Sequence, residues 1–278
     1  MFARLALLIL AGSAAACEPE LKVGTWPCTS SSGPAGAMPD GGVVPIMDPM
    51  PLPWQNGFED GFCGYANAKG YCYKHPASSY EVVESPVHSG QHAARFSVTA
   101  DDSVDGKQTR CVREGAMPPD AVYGAWFFLS AAVSGGNWNL MYFNAGNADG
   151  LRGLPNDGAE WDVSIGDGDG DGGPLTLHIL NHMGRLPDPA DGGTPPPAPA
   201  VPIGEWFQVE FRIVRAQDAT GRVTLYQDGQ PVQDFKNIQT ELTGATWGQW
   251  YVGNLVGNVT PPDSTLYVDD VSIAPPPP

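Results

Sequence analysis

Glu160, Asp162 and Ser164 stand at alternate positions in the run Glu160-Trp161-Asp162-Val163-Ser164. In an extended chain alternate side chains share a face, so the two carboxyls project together. Paired carboxyls about 5 Å apart are what retaining cleavage of a glycosidic bond requires. A solvated strand edge would show the same pattern. Arg110 and Arg113, within Gln108-Thr109-Arg110-Cys111-Val112-Arg113-Glu114, fall on opposite strand faces, so at most one of them can meet a ligand in a groove. His178 shares an outward face with Thr176 and could serve as a base, although a strand histidine is more often simply solvated. Asp167, Asp169 and Asp171, followed by Gly172, repeat the spacing of oxygen ligands in a calcium loop. The twelfth place of such a loop is His178 and not Glu, so this is no EF-hand, and an acidic hairpin loop is the competing reading.

These groups need strands to hold them, and period-2 alternation is the dominant pattern. It is clearest over Trp206–Val214, where Phe207, Val209, Phe211 and Ile213 face one way and Gln208, Glu210 and Arg212 the other. Trp161 and Val163 are assigned to the core by the same rule, and so is Leu177. Further strands are expected at 79–84, 91–99, 107–114, 122–130, 137–145, 221–228, 246–254 and 264–273. Turn signals such as Asp228-Gly229 and Ser89-Gly90 separate them. No capped helical stretch is present. The pattern predicts an all-β protein, a two-sheet antiparallel sandwich.

Composition agrees. The chain has 278 residues with 35 Gly, 28 Pro and eight Trp, and charged residues make up 16 %. That excludes a coiled coil and argues against general disorder. Acidic residues outnumber basic ones 31 to 14, for a net charge of -17, which excludes nucleic acid as an expected partner. Residues 1–16 read as a secretory signal: Arg4, a short apolar run, then small residues up to Cys17. The run is far below the ~20 residues of a membrane span. Residues 17–55 form a Pro- and Gly-rich tether, 56–274 the folded domain with a second Pro-rich stretch at 183–202, and 275–278 a Pro tail. Four further cysteines in an exported chain point to two disulfides. A local Cys63–Cys72 bridge is expected, leaving Cys111 to pair with Cys28 or stay reduced. Zinc is disfavoured because no CxxC pair occurs.

Several fragments together carry a resemblance. They are Gly57-Phe58-Glu59-Asp60-Gly61, Ser85 to Phe96, Ile203-Gly204-Glu205-Trp206-Phe207, Gly221 to Gly229, and Leu266-Tyr267-Val268-Asp269-Asp270-Val271-Ser272-Ile273. In this order they resemble the concanavalin A-like lectin/glucanase jelly rolls over residues 56–274. That superfamily includes carbohydrate-binding modules, laminin-G-like domains, laminarinase-type hydrolases and alginate- or heparin-lyase-like enzymes. Ala15-Ala16-Cys17 similarly resembles a bacterial lipobox, which implies a lipidated Cys17 and membrane contact through the acyl anchor alone. The resemblance implies that the first and last strands lie together, bringing Glu59 near Asp270, where carbohydrate modules hold structural calcium.

For activity the resemblance points two ways. Laminarinase-like hydrolases carry Glu-x-Asp-x-Glu, and Ser164 occupies the third place here and cannot supply the proton. Alginate-lyase-like enzymes use an Arg to neutralise the uronate carboxylate, a Gln/Asn-His pair and a Tyr. Arg110 matches the Arg, whereas Tyr142-Phe143-Asn144 lacks the His and Trp250-Tyr251-Val252-Gly253 lacks the Lys of the corresponding motifs. The expected function is therefore glycan binding on a concave sheet at the cell envelope, through Arg110, Tyr142, Asn144, Glu160, Asp162 and His178, with no cofactor required beyond structural calcium. A polysaccharide lyase or glycoside hydrolase with an atypical site is the alternative, with Glu160, Asp162 and His178 as candidate catalytic groups. An adhesive envelope lipoprotein is the second alternative. Of the rings that could stack on sugar (Trp126, Trp138, Tyr142, Trp247, Trp250, Tyr251), most Trp are expected in the core.

Overall fold

The computed structural model describes residues 22–23, 52–65, 70–99, 107–134, 137–146, 159–166, 173–181, 198–245, 247–257 and 259–277. Cys17, Cys28, most of the tether and of the second Pro-rich stretch, and Asp167, Asp169 and Asp171 lie outside these residues. Among the described residues there is no α-helix, only a 3₁₀ turn at Cys63–Tyr65.

Two antiparallel sheets pack face to face. The first runs β1 (Lys22–Val23), β3 (Gly70–Lys74), β6 (Lys107–Gly115), β14 (Trp247–Gly257), β8 (Asn137–Gly146), β9 (Ala159–Gly166) and β10 (Thr176–Asn181). The second runs β13 (Gln230–Ile238), β12 (Gly221–Gln227), β11 (Trp206–Val214), β7 (Asp120–Leu129), β15 (Ser264–Ala274), β5 (Ala93–Val98) and β4 (Ser79–Val83), and β2 (Trp54–Asn56) joins it along β15. The jelly-roll sandwich is as the alternation predicts. Phe207, Val209, Phe211, Ile213, Trp161, Val163 and Leu177 are all buried between the sheets.

Polar groups also cross this core. Asn254 of β14 is fully buried. It accepts from Trp138 Nε1 at 3.0 Å and donates to the Phe96 carbonyl of β5 and to Ser264 of β15, tying one sheet to the other. Arg113 points inward, donates to the Gly64 carbonyl at 2.8 Å and lies over the Trp54 ring, while burial pulls its pKa down to about 10. Only Arg110 of the two arginines is left for the outer face, as strand geometry requires.

Some elements differ from expectation. β13 has no alternation to announce it: only Val232 and Phe235 are buried, and Pro231 sits beside a register shift. Its hairpin with β12 turns through Asp228 (φ 50°) and Gly229 (φ 73°), the left-handed pair that an Asp-Gly turn demands. The expected Cys63–Cys72 bridge is not formed. Cys72 is bonded to Cys111, because β3 pairs with β6 and sets those residues directly opposite, with Cα atoms 4.0 Å apart. Nearness in sequence lost to cross-strand register, and Cys63 is disulfide-bonded separately. Non-reducing peptide mapping should recover a Cys72–Cys111 link. The double variant Cys72→Ala/Cys111→Ala should lose about 2–4 kcal/mol in urea unfolding. A Cys63–Cys72 peptide would refute this pairing.

Candidate functional site

The outer face of the first sheet carries three rows of side chains that run across the strands. In the first row register aligns Tyr73 of β3 with Arg110 of β6 and Gly253 of β14, and Asn139 of β8 with Ser164 of β9 and His178 of β10; the two halves meet at the β14–β8 register shift, where Asn139 lies opposite Leu255. Arg110 is 4 % exposed and donates to Asn139 Oδ1 at 2.8 Å, and Asn139 Nδ2 reaches Ser164 Oγ at 3.5 Å. The guanidinium must cross β14 to do this. Gly253 leaves the space: a Cβ there would lie 3.4 Å from Arg110 Cγ and 2.6 Å from the Thr109 carbonyl oxygen, on a φ of +141°.

The second row sets Tyr71, Val112, Tyr251, Tyr142 and Asp162 side by side. Tyr73, Val112 and Tyr251, flanked by Tyr71 and Tyr142, form a small apolar cluster separate from the main core. It makes an aromatic floor on the outer face. The Arg110 guanidinium carbon lies 5.6 Å from the ring centres of both Tyr142 and Tyr251, within cation–π range. The third row aligns Glu114, Gln249, Asn144 and Glu160. Gln249 Nε2 donates to Glu114 Oε2 at 3.0 Å and its Oε1 accepts from the Tyr251 hydroxyl. Asn144 Nδ2 donates to the Tyr142 hydroxyl at 3.4 Å, and Glu160 hydrogen-bonds the same phenol.

Electrostatics follow from this burial. Desolvation first, then Glu160 and Asp162, push the Tyr142 phenol well up, with Arg110 opposing. Burial likewise raises Tyr251 and Tyr73. All three are held as neutral phenols at neutral pH. His178 is shifted down by burial, and so is His75, which also feels the Arg110 charge. Both imidazoles are uncharged at pH 7.

All six residues expected to line a groove, Arg110, Tyr142, Asn144, Glu160, Asp162 and His178, belong to this one face. Three groups escaped the sequence reading. Asn139 and Gln249 lie in strands that were foreseen, but no spacing marks them. The third is His75. Gln108 bridges Tyr73 Oη at 2.8 Å and His75 Nε2 at 3.3 Å, so a Gln-His pair does stand beside Arg110, supplied by the end of β3. The alternation Tyr71-Cys72-Tyr73 was the available signal for that strand. Among the candidate stacking rings, Trp138 and Trp250 are core residues and Trp126 lies on the opposite sheet.

The calcium expected at Glu59 and Asp270 finds a different donor set. Glu59 Oε1 accepts the Gln91 N–H at 2.8 Å and Oε2 meets His92 Nδ1 at 3.0 Å. Asp270 Oδ2 meets His88 Nδ1 at 2.7 Å and its Oδ1 accepts from Ser89. Asp269 Oδ2 accepts the His88 and Ser89 N–H groups. N–H and hydroxyl donors occupy these carboxylates where calcium needs oxygen ligands. Among the described residues no group of three metal-ligating side chains is disposed to hold an ion.

A concanavalin A-like jelly roll with one cation, neutral phenols and carboxyls along an open sheet defines a carbohydrate-active protein. The model of the polysaccharide lyase family matches residues 64–272, and the chain belongs to that family. Among solved structures it is similar to an endo-β-1,4-glucuronan lyase from the fungus Trichoderma reesei, at 17 % identity and TM-score 0.53, over 76 % of this chain and 92 % of that one. It is also similar to a mutant of the alginate lyase Aly36B in complex with alginate tetrasaccharide, at 13 % identity and TM-score 0.50, over 66 % and 81 %. The cellulose-induced protein Cip1 is similar at 14 % and TM-score 0.50, over 80 % and 96 %. These likenesses are of fold. No curated protein matches the chain.

Two measurements check this geometry. Gly253→Ala should cost about 1–3 kcal/mol in chemical denaturation, because the new Cβ meets backbone at a φ that only glycine adopts freely. The histidines give a pH signature. A pKa lowered in the folded state means that the unfolded chain binds the proton more readily, so stability falls as pH drops below about 6.5. His75→Gln/His178→Gln should flatten that acid limb of the unfolding midpoint, and an unchanged limb would show that neither imidazole is desolvated.

Proposed function

We propose that the protein is a polysaccharide lyase that cleaves next to a uronate residue by β-elimination. The observation that carries this is Arg110: a buried guanidinium bonded to Asn139 and flanked by two neutral phenols. The proton removed in this reaction lies beside the uronate carboxylate, and its acidity depends on neutralising that charge. Arg110 and Asn139 would hold the carboxylate. Tyr142 would take the C5 proton as its own proton passes to Glu160, which avoids a free phenolate where burial and Asp162 disfavour one. The C5 electron pair forms the C4–C5 double bond, the C4–O bond breaks, Tyr251 protonates the departing oxygen, and the proton now on Glu160 returns through water to restore the Tyr251 hydroxyl after product release. The Glu114–Gln249 pair holds that hydroxyl in place. The main expectation, binding without turnover, rested on the missing His and Lys and on Ser164 in the third place of the hydrolase motif. A neutral phenol beside a carboxylate supplies acid–base chemistry without either.

The reading is tested by the absorbance of unsaturated uronate on purified protein with polyglucuronate and alginate. Arg110→Ala should lower kcat/KM by roughly 10²-fold or more. Tyr142→Phe and Glu160→Gln should depress kcat with KM little changed. No absorbance from any uronate polymer, with glycan still retained, would return the protein to a binding role. We further propose that it acts outside the cell on a lipid anchor at Cys17: Cys17→Ala should release it from bacterial membrane fractions, and unchanged retention would remove that claim.

A further inference from the structure

The outer face of the second sheet carries rings that the core does not use. Trp206 of β11, Phe128 of β7 and Tyr267 of β15 stand directly opposite one another on three neighbouring strands. Their ring centres are 5.6 and 5.7 Å apart in sequence across the sheet. All three are half-buried, whereas their strand neighbours Phe127, Phe207, Leu266 and Val268 fill the core. A strand face turned to water ordinarily carries polar residues, so three large rings in one row call for a partner. Beside the row, Trp126 is stacked on His88 at 3.7 Å, and His88 also meets the edge of Trp206. His88 is fixed in turn by Asp270, 2.7 Å away. The rings are therefore held in place before any ligand arrives. Ile203, 43 % exposed, extends the apolar strip past Trp206.

Charge decides which partner fits. The row ends at Arg95, which is paired with Glu81. Arg212 on the same face forms two hydrogen bonds to Asp120, and Arg222 two to Asp234. Each of these cations is already matched by a carboxylate, in a molecule of net charge -17. Lys236 shares Asp234 with Arg222 at the far end of β12, but among the described residues the one guanidinium beside the rings, Arg95, is paired, so nothing there is left for a uronate. This is the opposite of the first sheet, where Arg110 faces phenols and an amide. What remains beside the rings is neutral: Gln208 opposite Trp126, and the Ser97 and Thr265 hydroxyls 3.0 Å apart. The ring planes are inclined by 56° and 80°, so the row offers ring faces and ring edges in turn, and aromatic rings with amide and hydroxyl neighbours are what a sugar's C–H face and hydroxyls recognise.

We propose that Trp206, Phe128 and Tyr267 form a second glycan-binding site, on the face away from the lyase groove, that takes an extended neutral hexopyranose chain. It would hold the enzyme on an uncharged polysaccharide while the other face works on a uronate. The site does not depend on the lyase reading, since binding here requires no turnover.

The test uses the full chain, with affinity electrophoresis in gels containing hydroxyethylcellulose and calorimetric titration of cellohexaose. Wild type should be retarded by the neutral polymer. Trp206→Ala and Tyr267→Ser should each weaken binding by about three- to tenfold, from the loss of one ring contact. The same variants should keep their unfolding midpoints and turn over short uronate oligosaccharides within about twofold of wild type. Absence of retardation in wild type would overturn the proposal, as would full retardation of a folded Trp206→Ala. A dimer in sedimentation that Trp206→Ala dissolves would assign the row to a second copy of the chain and refute the glycan site.

Discussion

Each sheet can bury an apolar face only against the other, and both the groove and its chemistry depend on that constraint. Trp138, Trp161, Trp250, Phe143 and Phe207 are consumed by it. Because side chains alternate along a strand, filling the inner face commits the intervening positions to the outer one. The rows of Arg110, Tyr142, Tyr251 and Glu160 are the complement of the core. Asn254 adds a polar tie between the sheets, and its satisfaction on both sides fixes how β14 lies over β5 and β15.

On that frame a single missing side chain shapes the site. Gly253 lets the Arg110 guanidinium pass over β14 and reach β8, so side chains from three strands, β6, β8 and β9, share one hydrogen-bonded row. The cation then meets an amide and two neutral phenols directly, with Glu160 and Asp162 on the far side of Tyr142. A carboxylate partner inside the protein would already satisfy Arg110, whereas phenols and an amide leave its charge for an anionic ligand. Burial does the rest, keeping the tyrosines protonated and the two imidazoles uncharged at neutral pH.

The two outer faces are built on different electrostatic principles. The first sheet pairs its arginine with dipoles and rings. The second pairs Arg95, Arg212 and Arg222 with carboxylates and leaves Trp206, Phe128 and Tyr267 at the surface. The same pleat thus gives one face suited to charge and another suited to uncharged surface, in a chain whose net charge alone would predict indifference to acidic polymers.

Alternation along the chain was enough for the strands with a clean pattern, the core residues Phe207, Val209, Phe211, Ile213, Trp161 and Val163, and the side of its own strand on which each of Arg110, Tyr142, Glu160 and His178 stands. Period-2 patterning is a local property and can be read locally. It missed β13, where only two residues are buried, and β3, which is only five residues long. Tertiary structure alone decided which strands are neighbours. That choice moved the disulfide from Cys63–Cys72 to Cys72–Cys111, brought His75 to Gln108 beside Arg110, and set Glu114 against the Gln249 that supports Tyr251. Register between strands far apart in the chain is set by packing of the whole sandwich, and no spacing within one segment encodes it.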